Sequence, residues 1–278
     1  MRSAATARRV ASSSTPDSPT LGAVRSESAP RGPISTLASV WAWFVLGVTV
    51  VLAVPVVAVI RLVTSPFDRG AYFAGFAFRK VAVIHQRLNP LWRFRVEGSV
   101  PTDPRRPYVV VANHESFVDI LLISHLPMEM KWVSKSSFFK IPLVGWLMWL
   151  ARDIKLVRGA EGGGAHVYRE SRERLDCRVS VMLFPEGTRA ATGELGEFKD
   201  GAFRIAINAG APILPLAVHG TRSALVKHDW RFGRSTATVR VLDPIPTEGL
   251  TKDDVDDLRD RVRTLIDDAR RDLAATGA

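Results

Sequence analysis

Short apolar runs alternate with stretches of helical spacing over the last two thirds of the chain. The runs predict strands at Trp92–Val96, Tyr108–Ala112, Lys131–Val133, Ile154–Val157, Val179–Phe184, Ile213–Val218 and Ala237–Val241. The spacing between them predicts helices that include Ser116–His125, His166–Leu175 and Gly201–Ala209. Strands that alternate with helices indicate an α/β fold, so we expect residues 91–278 to form a domain with a mixed sheet flanked by helices.

The sequence closes with an amphipathic segment, "TKDDVDDLRDRVRTLIDDARRDL". Thr251 and Asp254 have the spacing of a capping pair at a helix N-terminus. The apolar stripe of the predicted helix consists of Val255, Leu258, Val262, Leu265 and Ile266. An apolar stripe on one face predicts a helix that packs on the domain and carries no chemistry.

Before the domain lies a long apolar segment without a charged residue, "LASVWAWFVLGVTVVLAVPVVAVI", from Leu37 to Ile60. At about 1.5 Å of rise per residue, a continuous helix over this segment is long enough to cross the hydrocarbon core of a bilayer. Trp41 and Trp43 lie near one end, where interfacial aromatic residues are common. We predict a membrane anchor over residues 36–62, either one helix or a hairpin bent at Pro55. A buried helix of a soluble core is the other interpretation.

The segments that flank the anchor differ from it in composition. Residues 1–35 are rich in Ser, Ala, Pro and Arg and contain few bulky apolar residues, which is typical of a disordered basic tail. Residues 63–90 mix aromatic and basic residues at helical spacing, which predicts an interfacial helical segment at the membrane surface. Later in the chain, the apolar stretch Phe138–Ala151 is compatible with a core helix or with a helix docked on lipid.

The formal net charge of +10 raises the question of nucleic-acid binding, but the excess of basic residues flanks the apolar segment. Residues 61–107 hold nine Lys or Arg against three acids, whereas residues 108–278 hold 24 against 23. A nearly neutral main domain argues against a nucleic-acid partner. Cys177 is the only cysteine, which excludes an internal disulfide and a cysteine-based zinc site.

Polar residues follow the predicted strand Tyr108–Ala112 directly, in the sequence "VVVANHESFVDILL". Ser116 is the predicted N-cap of the next helix, and Asp119 then lies at its N3 position. His114 lies on the turn before that helix, so its ring can face the Asp119 carboxylate. The carboxylate would fix the tautomer of the ring and leave its other nitrogen free as a base. The alternative is that Asp119 is only a capping carboxylate at the positive end of the helix dipole.

A second polar loop, "FPEGTR", follows the predicted strand Val179–Phe184. Gly187 lets the backbone approach a ligand, and Arg189 beside Thr188 can bind a phosphate group by paired hydrogen bonds. A tight turn with a surface ion pair between Arg189 and Glu186 is the alternative. A base and an anion-binding loop at the ends of separate strands together suggest proton abstraction from a phosphorylated substrate.

Four motifs, in the same order, resemble those of the glycerolipid acyltransferases over roughly residues 85–245. "NHESFVD" is similar to their His–four residues–Asp motif, "FPEGTR" is identical to their third motif, and "PILPLAVHG" is similar to their fourth. "ARDIKLVRG" takes the place of the second motif and carries Arg158, although Val157 stands where the family has Asp or Asn. The stretch "KIPLVGWLMWLARDI" most resembles the bacterial and chloroplast 1-acylglycerol-3-phosphate acyltransferases of this family.

The resemblance implies a reaction in which His114 acts as base and Asp119 orients it. The sn-2 hydroxyl of lysophosphatidic acid would attack the thioester of acyl-CoA or acyl carrier protein, giving phosphatidic acid for phospholipid biosynthesis. The residues implied to hold the substrate phosphate, or to orient the loop that does, are Glu186, Gly187, Thr188, Arg189 and Arg158. No bound cofactor and no metal ion are implied. The protein would contact membrane lipids, with its catalytic domain on the cytoplasmic side of the cell membrane.

Two other functions remain open at this point. An acyltransferase of the same family could act on glycerol-3-phosphate, a lysophospholipid or a lyso-aminolipid, because the walls of the pocket, and not the motifs, select the acceptor. A non-catalytic lipid-binding membrane protein could keep the fold, although such a protein has no need of an oriented base.

Overall fold

The computed structural model describes residues 33–159, 162–189, 194–225 and 229–277. The predicted basic tail therefore lies outside the described residues, apart from its last three positions. Those three positions already belong to the first helix, α1, which extends from Pro33 to Thr64.

Seven strands form one sheet, with the spatial order β1-β7-β6-β2-β5-β3-β4. The strands are β1 (Trp92–Gly98), β2 (Val109–Ala112), β3 (Met130–Lys135), β4 (Ile154–Leu156), β5 (Ser180–Leu183), β6 (Ile213–His219) and β7 (Ser235–Val241). All neighbouring strands run parallel except β6 and β7, which are antiparallel. The predicted α/β domain with a mixed sheet is confirmed.

Helices cover both faces of this sheet. They are α2 (Tyr72–Arg87), α3 (Asp119–Ile123), α4 (Val144–Leu150), α5 (Gly163–Asp176), α6 (Gly201–Ala209) and α7 (Val255–Thr276). Along β2, Val109 and Val111 pack into one core, which includes residues of α6 and α7, while Val110 and Ala112 pack into a second core, which includes residues of α3. Side chains alternate between the faces of a strand, so a run that is apolar at every position belongs to a central strand buried on both sides.

Two predictions about helices need correction. The helix predicted from Ser116 begins at Asp119, because the backbone N–H groups of Glu115 and Ser116 bond the Asp119 carboxylate and close a turn before the helix. The predicted apolar stripe of α7 includes Leu265, but 40% of the surface of Leu265 is exposed. Leu265 precedes the buried Ile266, and neighbouring positions on a helix are about 100° apart.

The capping pair at the start of the last helix is confirmed. The Thr251 hydroxyl accepts a hydrogen bond from the backbone N–H of Asp253, and the Asp254 carboxylate accepts one from the backbone N–H of Thr251. The pair caps a short 3₁₀ turn, Lys252–Asp254, which leads into α7.

One continuous helix covers the predicted membrane anchor, with Pro55 inside it and no reversal of the chain there. By length and composition alone, Ser35–Thr64 could cross a membrane. Leu52, Val59 and Leu62 leave more than half of their surface exposed, whereas Val57 packs against α2 and α4. The assignment of residues 36–62 as an anchor stays a prediction.

The stretch Phe138–Ala151 contains a 3₁₀ turn at Phe138–Lys140 and then α4. Its two faces differ in environment. Leu147 is fully buried against α1 and α2, whereas Trp146 and Trp149 are 58% and 74% exposed. The core interpretation describes the buried face of α4, and docking of its exposed face on lipid stays a prediction.

A buried group of charges joins α2 to the sheet. Lys131 on β3 donates to the Glu129 carboxylate over 2.8 Å and to the carbonyl of Ala71 over 2.8 Å. Arg79 of α2 pairs with the Asp153 carboxylate, and all four charged side chains are nearly inaccessible to solvent. Buried charges with such partners fix the position of α2 against β3.

Candidate active site

His114 and Asp119 form a direct hydrogen-bonded pair at the end of β2. His114 lies on the turn after this strand, and its Nδ1 is 2.7 Å from Asp119 Oδ2. The Asp119 side chain is fully buried, while that of His114 is 17% exposed. Since the carboxylate accepts the hydrogen of Nδ1, the lone pair of a neutral ring lies on Nε2, where it can accept a proton.

Four donors hold the Asp119 carboxylate. Its Oδ2 atom accepts a hydrogen bond from the ring N–H of His114. The same atom accepts the backbone N–H of Glu115 at 2.8 Å and that of Ser116 at 3.0 Å. Its Oδ1 atom accepts the hydroxyl of Thr221, which begins a 3₁₀ turn just after β6. A carboxylate with donors on both oxygens cannot turn freely, so the histidine ring that it binds is also held in orientation.

The loop after β5 contacts the same turn. The ring of Phe184 stacks on His114, with centroids 3.9 Å apart and an angle of 13° between the rings. The buried Glu186 carboxylate accepts the backbone N–H of His114 at 2.8 Å and that of Gly196 at 3.1 Å. Burial raises the pKa of Glu186. Glu186 therefore links the "FPEGTR" loop to the turn that carries the histidine.

Gly187 and Arg158 lie together in this loop region. Gly187 has a φ of 72°, a left-handed conformation that favours glycine, and its amide closes a turn onto the carbonyl of Phe184 at 3.0 Å. The Arg158 guanidinium donates a hydrogen bond to the carbonyl of Gly187. The structure thus brings Arg158, from the loop after β4, to the loop after β5.

Thr188 and Arg189 are exposed at the tip of the loop. The predicted alternative of an ion pair between Arg189 and Glu186 is absent, because Glu186 instead bonds the two backbone amides. Within the described parts of the chain, Arg189 has no hydrogen-bond or ion-pair partner.

Asn113 and Glu115 connect the histidine turn to the end of β6. Asn113 donates to the carbonyl of Val218 at 2.9 Å and accepts its N–H at 2.7 Å, which extends the pairing of β2 with β6. Glu115 accepts the N–H of Gly220 at 3.1 Å. Burial, and next the charge of Asp119, raise the pKa of Glu115 to about 7.

Sequence reasoning missed Thr221 and the contacts of Glu115 and Phe184. A signal for Thr221 was present, because it follows Gly220 at the end of the fourth motif. Strands β2 and β6 are parallel neighbours, so their carboxyl ends, and the polar residues beyond them, meet at the same edge of the sheet. Among the described residues, no three His, Cys, Asp or Glu side chains are grouped as metal ligands would be.

A histidine held by a buried carboxylate can accept a proton from a hydroxyl at its other ring nitrogen. The comparisons agree with that chemistry: residues 93–219 match the acyltransferase family model. The fold and the site together define the class of this protein as an acyltransferase.

Several relatives match most of the chain. The human 1-acyl-sn-glycerol-3-phosphate acyltransferase alpha is 35% identical over 229 residues, which are 82% of this chain and 78% of that protein. The yeast 1-acyl-sn-glycerol-3-phosphate acyltransferase is 32% identical over 178 residues, 63% of this chain and 59% of the yeast protein. The crystal structure of the 1-acyl-sn-glycerophosphate (LPA) acyltransferase PlsC of Thermotoga maritima has a TM-score of 0.72 and 27% identity, covering 87% of this chain and 97% of that one. The chain belongs to the 1-acyl-sn-glycerol-3-phosphate acyltransferase family.

Proposed function

We propose that this protein transfers an acyl chain to the sn-2 hydroxyl of 1-acylglycerol-3-phosphate (lysophosphatidic acid), giving phosphatidic acid for phospholipid biosynthesis. The contact that carries the proposal is the 2.7 Å hydrogen bond between His114 Nδ1 and the buried Asp119 carboxylate. It leaves Nε2 as the proton acceptor, next to the loop that carries Arg189. The names of the relatives favour lysophosphatidic acid as the acceptor.

His114 Nε2 takes the proton of the acceptor hydroxyl as its oxygen attacks the carbonyl carbon of an acyl thioester. The new C–O bond forms, the C–S bond breaks, and the thiolate leaves. The imidazolium then gives its proton to the thiolate, which releases a free thiol and restores neutral His114. The acyl chain passes directly to the acceptor, so the enzyme needs no nucleophile of its own. The donor is acyl-CoA or acyl carrier protein.

The phosphate of the acceptor would bind at the loop tip formed by Gly187, Thr188 and Arg189. Arg189 supplies the planar guanidinium that binds phosphate with two hydrogen bonds, and Thr188 supplies a hydroxyl. Arg158 adds a second positive charge, since its guanidinium reaches the carbonyl of Gly187. Glu186 holds the loop against the His114 turn, so the phosphate site and the base keep a fixed separation.

Membrane lipids would contact α1 and the exposed face of α4. Both helices expose large apolar side chains, Trp149 most of all on α4. A site beside such a surface can receive an acceptor that stays partly in the bilayer. We place the catalytic domain on the cytoplasmic side of the cell membrane.

An acceptor panel tests the substrate. Purified full-length protein in detergent would receive labelled oleoyl-CoA with lysophosphatidic acid, glycerol-3-phosphate or lysophosphatidylcholine, and acyl carrier protein would serve as the second donor carrier. The expected result is label in phosphatidic acid from lysophosphatidic acid only. Transfer to another acceptor alone would overturn the substrate assignment. Absence of transfer with both donors would overturn the assignment as an acyltransferase.

A further inference from the structure

The hydroxyl of Thr221 contacts the oxygen of Asp119 that faces away from the catalytic histidine. Thr221 is fully buried and donates to Oδ1, whereas His114 bonds Oδ2. Oδ2 also accepts hydrogen bonds from two backbone amides. Within the described parts of the chain, Thr221 is the only donor to Oδ1. Among the described residues, Oδ1 therefore receives its hydrogen bond from this hydroxyl.

The turn that carries Thr221 is fixed without help from Asp119. Gly220 has a φ of 92°, and a Cβ at this position would collide with the carbonyl oxygen of Thr236 on β7. The hydroxyl of Ser235 donates to the carbonyl of Gly220 at 2.8 Å. Asn113 ties the end of β6 to β2 through two hydrogen bonds with Val218. Three strands thus set the position of the hydroxyl, as preorganisation requires.

A second carboxylate lies beside the same hydroxyl. Glu115 Oε2 is 3.4 Å from Thr221 Oγ1 and already accepts the backbone N–H of Gly220. The hydroxyl has one hydrogen to donate, and its closer contact is with Asp119. Thr221 therefore donates its hydrogen to Asp119, the carboxylate that binds His114, and not to Glu115.

We propose that Thr221 is a positioning residue for acyl transfer: its hydroxyl fixes the Asp119 carboxylate and, through it, the orientation of the His114 ring. Thr221 acts through Asp119 and touches neither substrate nor reacting atoms. This inference rests on the proposed function in naming the reaction, but the orientation of the ring can be measured without turnover.

Replacing Thr221 with Val keeps the branched shape and removes the hydroxyl. Asp119 Oδ1 would then be a buried oxygen without a donor among the described residues, free to turn away from the geometry that holds His114. Loss of one hydrogen bond to a charged group corresponds to a fall in kcat of about tenfold to a hundredfold. The KM for lysophosphatidic acid should stay within about twofold, because the lost hydrogen bond to Asp119 affects the proton transfer and not the binding of the acceptor. Thr221→Ser, which restores the hydroxyl, should recover most of the activity.

Thr238 on β7 offers a matched control. It is also fully buried, and its hydroxyl bonds nothing in the described part of the chain. Thr238→Val makes the same change in shape and polarity without touching Asp119, so its kcat should equal that of the wild type. Melting temperatures of all variants, in the same detergent, would separate a loss of orientation from a loss of fold.

The downfield proton NMR signal of the His114 Nδ1–H, assigned by its absence in His114→Ala, measures the hydrogen bond to Asp119 directly. We expect the signal in the wild type, Thr221→Ser and Thr238→Val, and a shifted or missing signal in Thr221→Val. A Thr221→Val protein with an unchanged signal would overturn the positioning role, whether or not the wild type is active. An inactive wild type with the expected signals would overturn the proposed function and leave the positioning role supported.

Discussion

At the scale of single residues, the histidine turn is surrounded by three carboxylates, each with a different set of donors. Asp119 binds the histidine ring, Glu186 binds the backbone N–H of His114, and Glu115 binds the N–H of Gly220. Backbone amides compensate much of the cost of burying these groups. The acids at positions 115 and 119 in "NHESFVD" therefore have separate contacts, Glu115 with the turn after β6 and Asp119 with the ring of His114.

Glu115 predicts a dependence of stability on pH. Its pKa is raised from 4.5 to about 7, so the folded protein binds this proton more tightly than the unfolded chain. The resulting stabilisation is present at low pH and is lost as the pH rises through about 7, a change on the order of 3 kcal/mol in the free energy of unfolding. Glu115→Gln stays neutral throughout. The melting temperature of the wild type should therefore fall relative to Glu115→Gln between pH 5 and pH 8.

The two proteins share every other ionisable group, so the difference between their melting curves reports on Glu115. A difference that stays constant from pH 5 to pH 8 would show that Glu115 does not change its charge in this range.

At the scale of elements, the site is assembled by three adjacent parallel strands. The order β6-β2-β5 brings the ends of these strands to one edge, although the loop after β2 is about seventy residues from the loop after β5 and about one hundred from the turn after β6. The loop after β2 carries His114, which is the proposed base. The loop after β5 carries the residues proposed to bind the phosphate, and the turn after β6 carries Thr221. Ligands bind at the carboxyl ends of parallel strands in α/β folds, which this arrangement follows.

The loop after β5 gives a prediction for acceptor binding. Arg189→Ala should raise the KM for lysophosphatidic acid about tenfold to a hundredfold, because a charge-assisted hydrogen bond to the phosphate is lost. Arg189→Lys should recover only part of the affinity, since an ammonium group lacks the planar fork. Arg178→Ala is a suitable control, since Arg178 is 65% exposed and precedes β5, at the opposite end of the strand. A KM that responds equally to both alanine variants would argue against a phosphate site at the loop tip.

The elements could largely be predicted because they depend on local pattern. The spacing of apolar residues predicts a helix over Gly201–Ala209, which are the observed bounds of α6. The strand predicted over Ile213–Val218 is one residue shorter than β6. The start of α3 could not be predicted, because the amides of Glu115 and Ser116 bond a carboxylate that closes a turn before the helix.

The side chains of the site depend on pairings between distant strands. His114, Asp119 and Glu186 could be proposed from their positions at strand ends and from the family motifs. The contact of Thr221 with Asp119 could not, because it depends on the register of β2 with β6, more than one hundred residues later in the chain. Leu265 shows the same limit on a helix, since only the packed structure decides which of two adjacent apolar residues is buried.

At the scale of the whole molecule, the apolar surface is concentrated on helices that pack together. Helices α1, α2 and α4 share one apolar cluster, and each exposes large apolar side chains outside it, such as Leu62, Phe73 and Trp149. Exposed apolar surface of this kind marks a contact with lipid or with another protein. The charged group around Lys131 ties α2 to the sheet, so this surface and the catalytic domain are held together.

The exposed face of α4 can be tested with a spin label. In a Cys177→Ser background, a nitroxide at Trp149→Cys in lipid vesicles should be more accessible to oxygen, which concentrates in lipid, than to a water-soluble paramagnet. A label at Leu265→Cys, on the exposed side of α7, serves as the comparison and should show the opposite preference. Equal preference for water at both positions would place α4 away from the bilayer.

The central claim is that His114 is the base of acyl transfer, and turnover of His114→Ala with oleoyl-CoA and lysophosphatidic acid tests it most directly. His166→Ala provides a histidine control, because in the described part of the chain His166 of α5 bonds Arg169 and none of the site residues. General base catalysis contributes about 10²- to 10⁴-fold, so kcat should fall by that factor in His114→Ala, with little change in lysophosphatidic acid binding and none in the control. Turnover of His114→Ala at the wild-type rate would contradict the account.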